Sequence, residues 1–202
     1  MENFKTFGFD HNTESEMKKG RMLGRFGLGR GQLMAFAATE WLTNEFIMKV
    51  DIRSEEEVLG FDLEIKSELQ HQGCKIIATL YEDLNRVQIE NIKREIKKQV
   101  LYTPVDVYID SEKVNRELGE EKWTEENEAL LFKVKNNSQS GVEFYNQGIY
   151  IRTYPHHAMG VSGVMVSKVG FPFTVNIARN DVLQSKCALW KKARTITQKY
   201  SE

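Results

Sequence analysis

Four glycines fall within eight residues at Gly24-Arg25-Phe26-Gly27-Leu28-Gly29-Arg30-Gly31, and the chain then runs into apolar Leu33-Met34-Ala35-Phe36-Ala37-Ala38. Glycines at this density let successive backbone amides turn to one side. A helix opening at once adds its positive end, and the two together suit phosphate oxygens. The pattern predicts a phosphate-contacting loop leading into a helix over Leu33 to Ala38, although a plain chain reversal before a helix uses the same residues. Two specific loops are excluded. A Walker A loop needs Lys and then Ser or Thr where Gln32 and Leu33 stand. A dinucleotide fingerprint follows a β-strand, whereas the charged stretch Glu14 to Arg21 precedes this one.

The remaining composition narrows the class. With 202 residues, 41% of them hydrophobic, the chain can bury a core as one large domain or two small ones. Its net charge of −1 supplies no general field for nucleic acid or an acidic membrane, so neither is expected as a partner. Cys74 and Cys187 are too few for a disulfide framework. With no apolar N-terminal segment, they point to a reducing, cytoplasmic setting.

Periodicity then divides the chain. Phe46 to Ile52 and the alternating Leu59 to Ile65 predict neighbouring antiparallel strands, and Lys75 to Tyr81 another. Arg86 to Leu101 carries Val87, Ile89, Ile92, Ile96 and Val100 at helical spacing, which predicts an amphipathic helix with its charged face in solvent. Val105 to Ile109 begins a further strand after Pro104. Glu112 to Glu128 is dense in carboxylates and predicts a solvated connector. Beyond it, Ala129 to Lys135, Gly148 to Thr153, Gly163 to Lys168 and Phe173 to Ala178 read as strands. Asp181 to Thr197 reads as a closing helix capped by Asn180 or Asp181.

The order of GRFGLGRGQ, apolar helix, two strands, QGCKIIATLYEDL, amphipathic helix and VDVYIDSEKV resembles the second half of a GHKL ATPase domain. This superfamily takes in gyrase, the ninety-kilodalton heat-shock chaperones, histidine kinases and MutL. The resemblance is closest to the chaperones. It continues through Tyr145 to Ile151, Gly163 to Val166 and Phe173 to Asn180, which look like the opening of the middle, or transducer, domain. It implies an α+β chain: a truncated Bergerat-type α/β half-sandwich over 1–118, an acidic connector at 119–126, and a smaller transducer-like α/β unit over 127–202.

Site residues follow from the resemblance one by one. Gly24, Arg25, Phe26, Gly27, Leu28 and Gly29 match the glycine box that closes over the triphosphate. Gly73 matches the glycine of a Gly-Thr pair beneath adenine, with Cys74 in place of the threonine. Arg179 matches the catalytic arginine sent to the γ-phosphate, and Gln184 a nearby glutamine, at a spacing one residue longer. The family's water-activating glutamate, Mg²⁺-holding asparagine and Asp-x-Gly-x-Gly motif have no counterpart before Gly24, which implies that the chain begins midway through the fold. ATP would then bind weakly alone and Mg²⁺ only with the missing half supplied, since hydrolysis needs a positioned base and a metal.

Two functions from different classes follow. In one, a degenerate, incomplete chaperone-like ATP-binding protein acts as a regulatory or inhibitory protein-binding module. In the other, the chain is the lid and transducer subunit of a split ATPase, hydrolysing ATP only when complemented. Either leaves a sheet edge and an apolar face to be covered by another protein or by a second copy. No metal site is expected: adjacent His156 and His157 on a strand would face opposite ways. Cys187 and the tryptophans Trp41, Trp123 and Trp190 read as packing residues.

Overall fold

The computed structural model describes residues 28–54, 60–68, 70–136 and 139–201. The fold is mixed α+β with largely antiparallel sheets, and four α-helices occur among the described residues. The chain divides between Asn85 and Arg86 into two compact units. The carboxylate-rich stretch belongs to the second. It is drawn in by Trp123 Nε1, which donates to Leu118 O at 2.8 Å, and by Glu121, which pairs with Arg116 and Lys133.

In the first unit, helix α1 (Leu28–Phe36) leads directly into β1 (Ala37–Asn44), followed by β2 (Phe46–Val50), β3 (Asp62–Ile65) and β4 (His71–Leu80). The four strands lie in the order β3-β2-β1-β4, all antiparallel. Ala37 and Ala38, expected in the helix, are strand residues instead. Tyr81 N–H donates to Phe36 O at 3.0 Å and Ala37 pairs with Leu80, so sheet pairing overrides alanine's helical preference. The strand expected from Leu59 begins at Asp62. One face of the sheet holds a small core in which Met34 of α1 meets Met48 and Val50, with Trp41, Ile52 and Leu63 at its margin.

The second unit opens with α2 (Arg86–Gln99) and the short hairpin of β5 (Tyr108–Ile109) and β6 (Glu112–Lys113). A five-stranded sheet then forms from β7 (Glu125–Glu126), β8 (Leu130–Val134), β9 (Val142–Asn146), β10 (Ile149–Tyr154) and β11 (Gly163–Ser167), in the order β10-β9-β11-β8-β7. Both faces are covered. On one, Phe132, Phe144, Tyr154 and Met165 pack against Trp190, Ala193 and Ile196 of α4 (Ala188–Lys199). On the other, Leu131, Tyr145, Val164 and Val166 pack under Tyr102, Leu118 and Trp123. Gly148, at φ +90°, lets the β9–β10 turn reach this second layer. A Cβ there would lie 2.0 Å from Tyr102 O, and Tyr102 N–H donates to Gly148 O at 3.3 Å.

Three further expectations change here. Phe173 to Ala178 is no strand, because the chain turns back at Asn176–Asn180 and leaves only a bridge between Val175 and Val182. Asn176 holds that turn, its Oδ1 accepting from Asn180 N–H at 3.1 Å and its Nδ2 donating to Asn180 Oδ1 at 2.8 Å. Asn180 is therefore a turn residue, not a cap, and α4 starts at Ala188 after a single 3₁₀ turn at Gln184–Lys186. His156 and His157 lie in the four-residue helix α3 (His156–Met159), not on a strand.

The charged face of α2 is open to solvent as expected, with ion pairs along its surface. Lys97 pairs with Glu112 at 3.5 Å, Lys93 with Asp110, and Lys98 Nζ lies 4.2 Å from the Tyr150 ring centroid. Ile89, Ile92 and Ile96 are left exposed. Among the described residues no helix is long and apolar enough to cross a membrane.

Candidate functional site

The register of the first sheet lines up Ile77, Glu40, Lys49 and Asp62 in one row across β4, β1, β2 and β3. Strand alternation puts them on the face opposite Met48 and Val50. They floor a groove of about 640 Å³, whose walls include Thr79, Asp51, Ser54 and Phe61.

Its electrostatics are dominated by fixed carboxylates. Lys49 Nζ meets Glu64 Oε1 at 2.8 Å, and that carboxylate holds the ammonium protonated beyond its ordinary range. Glu64 is held low in turn by hydrogen bonds from Lys49 and then Lys66. At the rim, Asp51 Oδ1 accepts from Tyr81 Oη at 2.8 Å and from Arg53 N–H at 3.0 Å, and these two bonds hold it below the usual carboxylate range. The Arg53 guanidinium lies 4.1 Å from the Tyr81 ring centroid.

Such a surface accepts hydrogen bonds from cationic or polar donors. Its described lining is a poor seat for a triphosphate, because Glu40, Asp51 and Asp62 border it and Lys49, the one lysine among the described lining residues, is already paired. Asp51 and Glu64 are both held in their charged forms. Among the described residues no group of three His, Cys, Asp or Glu side chains is placed to hold a metal.

None of the described residues singled out from the sequence lines this groove. Gly24, Arg25, Phe26 and Gly27 fall outside the described residues. Leu28 and Gly29 are the first two residues of α1. Gly73 and Cys74 lie near the start of β4, opposite the far end of β1 from its junction with α1. Gly73 has φ +87° beside the register shift between Leu42 and Asn44, so backbone conformation alone accounts for a glycine there. Arg179, at φ +57°, is exposed at the tip of the Asn176–Asn180 turn, and exposed Gln184 opens the 3₁₀ turn; both belong to the second unit. Cys187 is buried in the core and accepts from Thr174 N–H at 3.3 Å.

Sequence reasoning passed over Glu40, Lys49 and Asp62. Single charges on alternating strands read as a solvated face, and only the register gathers them. The chain matches no model of a known protein family and no curated protein.

Proposed function

We propose that this chain is a GHKL-like scaffold, a Bergerat-type half-sandwich followed by a transducer-like unit, that works as a protein-binding regulatory module and does not hydrolyse ATP by itself. The observation that carries the reading is the exposed apolar surface of the regular elements. Ile76, Ile77 and Leu80 of β4 and Ile89, Ile92 and Ile96 of α2 are all open to solvent, a pattern that marks interaction surfaces. The GHKL resemblance rests on the sequence order of apolar helix, two strands, QGCKIIATLYEDL and amphipathic helix; the structure has one strand more, β1, between α1 and that series.

The chemistry of the groove supports binding over turnover. It offers carboxylates and hydroxyls, and the pKa values of Asp51 and Glu64 are held down, not raised. The second reading, a lid and transducer portion that hydrolyses ATP with a separately supplied half, is favoured by one feature: Arg179 stands exposed on a turn fixed by Asn176, where a guanidinium can reach a phosphate from outside. Phosphate release from Mg-ATP by the purified chain separates hydrolysis from its absence. No turnover above background is expected. Steady turnover that Arg179→Ala abolishes would overturn the proposal.

A further inference from the structure

Among the described residues the first sheet ends in β3 on one side and β4 on the other, and these two edges are built differently. β3 is four residues long and carries Asp62 and Glu64. β4 is ten residues long, carries no proline and, apart from His71, only Lys75 as a charged or titratable basic group, and it is exposed from Gln72 to Leu80. A long, weakly charged edge is a ready template for another strand, whereas a short acidic one is blunted.

The backbone groups of β4 without a ladder partner among the described residues can be assigned. Tyr81 N–H donates to Phe36 O, so Tyr81, Thr79, Ile77 and Lys75 turn their amides and carbonyls toward β1. Alternation turns those of Cys74, Ile76, Ala78 and Leu80 outward.

We infer that this edge pairs antiparallel with β4 of a second copy of the chain. A two-fold axis normal to the sheet sets the outward donors and acceptors of one β4 against those of the other, with no new segment to order. Charge selects the register. Centring the pair on Lys75 would place two ammonium groups opposite each other, which is destabilising. Centring it on Ile76 or Ile77 instead places isoleucine against isoleucine and lysine against Ile77 or Thr79. Closure follows as well, since the paired sheet ends on both sides in β3, where Asp62 and Glu64 disfavour further addition.

The inference deepens the protein-binding reading and rests on it, but the two fail separately. ATP turnover by the chain alone removes the functional reading whatever the oligomeric state, while a monomer without turnover removes only the self-pairing. The test is sedimentation of the full chain over a concentration series. The expected result is a species of twice the chain mass, reduced to single mass by Ile76→Pro. That change deletes an outward N–H and leaves the β1–β4 ladder intact. A double variant, Ile76→Lys with Ile77→Lys, keeps every amide and sets lysines opposite each other in either register, so it covers the case in which the proline variant does not fold.

Oxidation reads the register directly. Ala78→Cys faces Cys74 of the second copy when Ile76 is central, and Leu80→Cys does so when Ile77 is central. Such directly opposed, hydrogen-bonded positions lie about 5.5 Å apart at Cα, within disulfide reach. One of the two variants is expected to cross-link. A monomeric wild type, a dimer indifferent to both edge variants, or cross-linking by neither cysteine variant overturns the inference.

Discussion

The two sheets of this chain contrast in how they are covered. The five-stranded sheet of the second unit is packed on both faces, with a cluster from Phe132 to Ile196 under α4 and another from Tyr102 to Val166 on the far side. Among the described residues, the four-stranded sheet of the first unit gathers Met34, Met48 and Val50 as a core cluster, and its β4 is exposed almost throughout. Each sheet uses apolar strands, so the difference lies in what lies against them. The second unit carries its own covering layers, whereas among the described residues of the first unit Ile76, Ile77 and Leu80 of β4 stay exposed.

Phe144→Ala breaks the comparison most severely. The Phe144 ring centroid is 5.1 Å from Tyr154, 5.2 Å from Trp190 and 5.5 Å from Phe173, so truncation opens a cavity among aromatic rings. A loss of about 3–5 kcal/mol is expected for emptying such a site, measured from the denaturant midpoint followed by tryptophan fluorescence. Gly148→Ala comes next. It forces an L-residue to φ +90° and drives its Cβ into the Tyr102 carbonyl, for an expected loss of about 2–3 kcal/mol in the same assay.

Tyr154→Phe acts on one polar contact within that packed unit. Tyr154 Oη donates to Asp181 Oδ1 at 2.6 Å and accepts from the buried Val182 N–H at 3.1 Å, so the substitution orphans an amide. About 1–2 kcal/mol is expected. The same phenol sharpens the comparison through pH. Burial, and then the bond to Asp181, push its pKa up to about 12, and burial pushes Tyr102 to about 12 as well. Both folded values lie above the unfolded tyrosine value near 10. Their contribution is therefore whole below about pH 10 and is lost as pH rises toward 12. Alkaline titration should unfold the second unit in that window, and Tyr154→Phe should flatten the slope of stability against pH there.

How much of this was legible in advance depended on whether an element's pattern or its neighbours decided it. β8 and β11 are short apolar runs buried by their own sheet, and Leu130–Val134 and Gly163–Ser167 stand in the sequence as such. β1 was hidden because Ala37 and Ala38 extend a helical run, and what makes them strand is pairing with Leu80 and Thr79 forty residues on. The break before α4 was hidden for a related reason. Asn176 and Asn180 bond to each other, so the cap signal at Asn180 is spent on a turn. At the groove, the chemistry of Glu40, Lys49 and Asp62 exists only through register, which single-strand periodicity does not contain.

The smallest expected effect tests the exposed sheet itself. Ile76 is 45% exposed, so Ile76→Ala removes apolar area that already meets water, and the stability of the isolated chain should change by less than about 1 kcal/mol. The same deletion at Phe144 is expected to cost several times more. If Ile76→Ala instead matched a core truncation, measured as a monomer at low concentration where no second copy is bound, then β4 would already be covered within the chain and the contrast between the sheets would be lost. If it lowered stability only as protein concentration rose, the energy of Ile76 would be realised in association. An isoleucine left at a sheet edge that way serves a partner surface, not a core.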